Sequence, residues 1–235
     1  MTTARPDDWL TSLAGDRPDL GRSSTAERVA EVLRTRVLEG DLAPGLRLSE
    51  EAIGGALRVS RNTLREAFRL LTHERLLVHE YSRGVFVRVP TAQDVTDLYR
   101  ARRIIECGAL RRWPHASNVA HAALADAVRE SEEAAARDQW PQVGTANLKF
   151  HRAMAGLAGS PRVDEAVGRL LAELRLVFHV MGEHREFYEA YVPWRRQIID
   201  LLERNELDEA ERTLREYFDA AERQLVDAFA RLPTT

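Results

Sequence analysis

The stretch Val59-Ser60-Arg61-Asn62-Thr63-Leu64-Arg65-Glu66-Ala67-Phe68-Arg69-Leu70-Leu71 decides the fold. Leu64, Ala67, Phe68 and Leu71 recur at i, i+3, i+4 and i+7, which predicts one apolar face of a helix. Ser60 stands where a hydroxyl caps the first turn. Arg61, Asn62, Arg65 and Arg69 fill an adjacent arc of roughly 100°. Arginine's planar fork pairs with guanine O6 and N7 or clamps a phosphate, and asparagine pairs with adenine, so these are the side chains a major-groove reader needs. Ser60 and Thr63 lie at the helix N-terminus, where hydroxyls and free backbone N–H groups suit phosphate. An arginine-rich face is also what a solvated surface looks like in a chain with 34 basic residues, so the flanking sequence has to separate the two readings.

Upstream, Ser24-Thr25-Ala26-Glu27 has the form of a capping box ahead of Val29, Val32, Leu33, Val37 and Leu38 at helical spacing, with Gly40 closing that helix. Asp41 to Gly45 is a turn by composition, and Ser49 opens a short second helix carrying Ile53 and Leu57 inward. Downstream, the runs Leu76 to His79 and Val85 to Val89 flank Tyr81-Ser82-Arg83-Gly84, which reads as a hairpin. Three helices followed by a hairpin is the order of a winged helix-turn-helix, here over 23–89. Residues 1–22, rich in Asp, Pro, Gly and Arg, read as a mobile arm with at most a short helix around Trp9 and Leu10.

From Thr91 onward there is no strand-like alternation, only long helical periods broken near Pro114-His115, Trp140-Pro141, Gly159-Ser160-Pro161, Gly182 and Asn205. The expected fold is therefore mainly α, with an antiparallel bundle of about six helices over 92–231 behind the winged helix. Formal net charge is −3, so the whole molecule is no polycation that coats nucleic acid or anionic membrane. Span 24–89 nevertheless holds eleven arginines against nine acids, net +2, which leaves −5 for the remainder. Positive potential is thus concentrated around the candidate reading helix. The single cysteine, Cys107, excludes an intramolecular disulfide and a thiolate zinc site. The absence of a long apolar run predicts a cytoplasmic chain with no membrane partner.

Three blocks, Gly40-Asp41-Leu42-Ala43-Pro44-Gly45-Leu46-Arg47-Leu48-Ser49-Glu50, then Val59 to Ala67, then Arg83-Gly84-Val85-Phe86-Val87, occur in order and closely resemble the GntR regulators. The resemblance implies that Arg61, Asn62, Thr63 and Arg65 contact DNA, that Ser60 caps the helix and touches phosphate, and that the wing tip at Arg83 and Gly84 enters the minor groove. Arg69, on the same arc, joins this candidate set. Two residues depart from the pattern. Arg58 replaces a turn glycine, where it strains a left-handed turn or adds a phosphate contact, and Gly54 replaces a packing alanine and so loosens the second helix.

The remainder resembles the FCD effector domain of the FadR-like branch, through Asp97-Leu98-Tyr99-Arg100-Ala101-Arg102-Arg103-Ile104-Ile105-Glu106 and Phe150-His151. Arg102 interrupts an apolar seam of Val95, Leu98, Ile105 and Ala109. It is either an i, i+4 partner of Glu106 or an anchor for a carboxylate or phosphate. Many FCD domains hold a divalent metal; the resemblance puts Asn147, His151, Arg195 and Tyr217 at the four ligand positions. An arginine repels a cation, so no metal and no other cofactor is expected. The same four residues with Arg102 could instead bind an organic acid directly, Arg195 supplying the charge, or form an internal polar network with no ligand. His179 and His184 do not share a helical face, and Trp113, Trp140 and Trp194 read as core or pocket wall.

The expected protein is a homodimeric, ligand-responsive regulator on a pseudo-palindromic operator, a repressor released by a small anionic metabolite. One module reading a few base pairs lacks genomic specificity, hence the dimer. Two alternatives stand beside it: the same DNA-binding protein with a degenerate, ligand-free bundle, and, remotely, a small helical enzyme. No nucleophile and base pair, phosphate loop or carboxylate dyad is present to support catalysis.

Overall fold

The computed structural model describes residues 24–39, 41–181 and 185–231. The N-terminal arm, Gly40, the break at Gly182 and His184 therefore lie outside the described residues. Helix α1 (Thr25–Glu39) opens with the expected capping box: Ser24 Oγ accepts from Glu27 N at 3.1 Å, and a Glu27 carboxylate oxygen accepts from Ser24 N at 2.6 Å. Strand β1 (Arg47–Leu48) and helix α2 (Glu50–Leu57) follow, the latter capped by Ser49. Ile53 is half-buried and Leu57 is 36% exposed, so α2 does not turn both residues inward.

Helix α3 (Arg61–His73) buries Leu64, Ala67, Phe68 and Leu71, the four residues of the predicted apolar face. Strands β2 (Leu77–Glu80) and β3 (Gly84–Val87) form the hairpin. The sheet has a third strand that alternation could not reveal: β1 pairs antiparallel with β3, Leu48 opposite Val85, giving the order β1-β3-β2. A two-residue strand has no period to read. Gly84, at φ +115°, supplies a backbone conformation that side chains resist, and an added Cβ there would sit 3.4 Å from Arg47 Nε.

Thr91 starts the second unit with a capping box completed by Asp94. Six helices follow: α4 (Ala92–Leu110), α5 (Asn118–Ala136), α6 (Trp140–Gly156), α7 (Pro161–Met181), α8 (Val192–Glu203) and α9 (Leu207–Ala230). Their pairings, α5 on α6, α4 on α9, α7 on α4 and α6, and α8 on α5 and α9, build one apolar core. Trp113, Trp140 and Trp194 pack partly buried against it.

The two units share more than a linker. Ala172 and Leu176 on α7 belong to the winged-helix core, alongside Leu33, Phe68 and Val87. Residues 171–178 of α7 are consequently buried without a break, because one side of the helix meets the bundle and the other meets the winged-helix unit. Beside this contact Arg88 bridges Asp94 at 2.5 Å and Glu173 at 3.3 Å. No helix among the described residues is long and apolar enough to cross a membrane.

Candidate functional site

The exposed side of α3 carries the candidate DNA contacts. Ser60 is the N-cap; its Oγ accepts from Thr63 N at 3.1 Å and lies 2.8 Å from Thr63 Oγ1, fixing both hydroxyls at the helix start. Arg61 and Asn62 project into solvent, and Arg61 makes no ion pair among the described residues. Arg65 is held from behind: its Nε donates to both carboxylate oxygens of Glu50, at 3.0 and 3.1 Å. Arg69 is tied to Glu66 at 2.6 and 3.0 Å.

Arg58 caps α2 in the left-handed region, φ 53° and ψ 45°, and is exposed beside the N-terminus of α3. It therefore occupies a strained left-handed turn. A Cβ added to Gly54 would meet Val59 O at 3.5 Å, ordinary contact, so glycine there leaves α2 with less packing and no steric need for it. At the wing, Arg83 pairs with Glu80 and lies over the Phe86 ring, 5.5 Å from its centroid. Glu50 is absent from the sequence-derived set, and only its place fifteen residues before Arg65 on an adjoining helix signals it. A cavity of about 610 Å³, lined by Glu50, Arg65, Phe68 and His79 among others, opens between α3 and the wing.

The second constellation lies inside the bundle. Arg102, Asn147, His151, Arg195 and Tyr217 are all buried, Arg102 and Arg195 completely. They come together as one hydrogen-bonded chain. Arg102 Nε donates to Glu106 at 2.9 Å, and the other Glu106 oxygen faces His151 Nδ1 at 2.7 Å. His151 Nε2 is 3.2 Å from the Tyr217 hydroxyl, which donates to Asn147 Oδ1 at 2.8 Å. Arg195 donates to Asn147 at 3.0 Å and to Ser131 at 2.7 Å. Arg102 is also sandwiched between the rings of Tyr99 and Phe218, each 5.0 Å away.

Both sequence readings of Arg102 are compatible with this: it pairs with Glu106 and keeps Nη1 and Nη2 buried without a hydrogen bond. Glu106 turns out to be the hinge of the cluster. Ser131 was not anticipated; its signal is that it is the one polar residue on the buried face of α5, among Leu124, Ala127, Val128 and Ala134.

Charge in the cluster follows from burial. Desolvation, reinforced by the Arg102 cation, drives the His151 imidazole down to about 4 despite Glu106, so it is neutral near pH 7. Burial pushes the Glu106 carboxyl upward, but His151 and Arg102 outweigh it and hold it below the usual carboxylate range. Two guanidinium ions against one carboxylate leave a net charge of +1 on these side chains. The donor set does not fit a divalent metal: the Arg195 guanidinium, 3.0 Å from Asn147, would repel a cation there, and Glu106 and His151 are the only strong ligands in the cluster.

Comparison with known proteins agrees with this architecture. Residues 25–87 match the bacterial regulatory proteins of the gntR family, and residues 97–220 match the FCD domain. The uncharacterized HTH-type transcriptional regulator BphR of Paraburkholderia xenovorans is 31% identical over 147 residues, 58% of this chain and 59% of that protein. The gluconate operon transcriptional repressor of Bacillus licheniformis is 32% identical over 98 residues, 42% of this chain and 40% of its own length. The matches thus span about half the length of these curated relatives. A structural-genomics crystal structure of a GntR transcriptional regulator from Rhodococcus sp. RHA1 superposes with a TM-score of 0.80 at 41% identity, covering 88% of this chain and 99% of that one. These relatives are transcription regulators and not enzymes. The chain belongs to the GntR family, a DNA-binding transcription regulator whose winged helix is followed by an FCD domain.

Proposed function

We propose that this regulator is a homodimeric repressor, acting in the cytoplasm on a pseudo-palindromic operator and released by a small organic acid bound inside the bundle. In this reading 23–89 is the DNA-binding unit and 92–231 the effector and dimerisation unit. Arg61, Asn62 and Arg65 read bases, with Arg58, Ser60, Thr63, Arg69, Arg83 and Gly84 holding the backbone. Repression follows the name of the Bacillus licheniformis relative.

The observation that carries the effector assignment is the set of buried N–H groups without an acceptor, Nη1 and Nη2 of Arg102 and Nε of Arg195, in a cluster of net positive charge. Buried donors without acceptors are costly, and a carboxylate supplies both acceptors and the missing charge. One monoanion would neutralise the cluster.

The test is operator binding by fluorescence anisotropy during titration with a panel of mono- and dicarboxylates, for wild type and Arg195→Met. Release by a monocarboxylate in wild type and none in the variant is expected. Release that survives in Arg195→Met would remove the cluster from the effector site. A second reading, a purely structural network, is favoured by the mutual bonding of Asn147, Tyr217, Arg195 and Ser131. It predicts that no carboxylate changes operator affinity.

A further inference from the structure

Between α1, α6 and α7 lies a cavity of about 510 Å³, within the range of roughly 300–1,000 Å³ usual for small-molecule sites. Its walls carry Lys149, Arg152 and Arg175 and no acid. Lys149 is steadied by Glu130 at 2.6 Å, and Arg152 makes no ion pair among the described residues. The floor is apolar, formed by Leu171 and Ala172, both buried. Room is left by Gly168, where an added Cβ would meet Arg152 Nη2 at 3.5 Å. The hollow continues past Arg152 and Gly168 into a smaller one, where Glu31 and Glu74 are paired with Arg34 and Glu165 with Arg169.

We propose that this crevice is a second ligand site, distinct from the buried cluster, and that it takes an anion with an apolar body, such as a medium-chain carboxylate. Three cations on two helices attract the head group, and the leucine and alanine floor takes the tail. Location gives the site its consequence. Thr35 on the opposite wall belongs to α1 of the DNA-reading unit, and Ala172 is part of that unit's core. An occupant therefore touches both units and biases how they sit together.

Isothermal titration calorimetry on the full chain with butanoate, hexanoate and octanoate tests it, with octanol and inorganic phosphate as probes lacking the charge or the tail. Affinity should rise by up to roughly fourfold per buried methylene, with octanol and phosphate far weaker. Gly168→Leu, which fills the cavity while favouring the helix, and the surface variant Arg152→Glu should each weaken octanoate at least tenfold. Val119→Ser, on the exposed side of α5 and outside both sites, should leave octanoate binding as it is. The proposal is overturned by absence of octanoate binding to wild type, by octanol or phosphate binding as well, or by octanoate binding that is retained in both Gly168→Leu and Arg152→Glu, which would place the carboxylate elsewhere, as in the buried cluster.

Discussion

Arginine serves opposite ends in the two halves of this molecule. On α3, Arg61, Arg65 and Arg69 stand in solvent, where an ion pair such as Arg69 with Glu66 contributes little to stability and leaves the guanidinium free to exchange partners. In the bundle, Arg102 and Arg195 have no exposure at all. There each charge depends on named neighbours, and removing a neighbour strands it. The difference is between charge kept available for a partner and charge confined by its surroundings, and it makes the two regions fail differently under substitution.

The sharpest break should come inside. Glu106→Ala removes the one carboxylate serving Arg102 and His151, and it should lower unfolding free energy by about 3–5 kcal/mol, read from the urea midpoint. A loss below about 1 kcal/mol would mean that water or rearrangement already satisfies Arg102. On the outer face, Arg61→Ala with Arg65→Ala should leave that midpoint unchanged. It should weaken specific operator binding roughly 100-fold, about 2.7 kcal/mol and within what two base-reading arginines supply; retained selective binding would contradict the assignment of α3.

The boundary between the regions gives a pH signature. Burial pushes the Glu173 carboxyl up to about 7, against the pull of Arg75 and Arg88. A raised acid stabilises the fold below its unfolded value and loses that contribution as pH rises through its folded value, here between about 4.5 and 7. His151 acts in the reverse sense: its depressed value keeps its contribution above about 6.5 and loses it as pH falls toward 4. Glu173→Gln should therefore raise stability at pH 8 relative to wild type, by on the order of 2 kcal/mol after allowing for solvent screening. The two melting curves should converge near pH 5. The smallest effect expected is from Ser60→Ala, about 1 kcal/mol through loss of the cap, with operator affinity falling more than the stability change alone would produce if the hydroxyl also meets phosphate.

What could be read in advance divides along a physical line. The α3 face and the Ser24, Ser49 and Ser60 caps were legible because a helix's period and its first turn are local properties. Strand β1 was not, since its partner Phe86 is thirty-nine positions from Arg47 and pairing over that distance leaves no local trace. In the bundle, Asn147, His151, Arg195 and Tyr217, which the resemblance named, lie together with Arg102, which its break in an apolar seam singled out, yet Ser131 and the central place of Glu106 depend on how five helices pack. The seating of α7 in the winged-helix core was equally hidden: Ala172 and Leu176 look like ordinary bundle residues until the other unit is laid against them.

That seating bears on how the molecule can be divided. Cutting the chain after Val89 would strip Ala172 and Leu176 away from Leu33, Phe68 and Val87, uncovering an oily patch on the back of the reading unit. Such a fragment would be less stable and prone to stick to itself, and its grip on DNA would be a poor measure of the intact protein's.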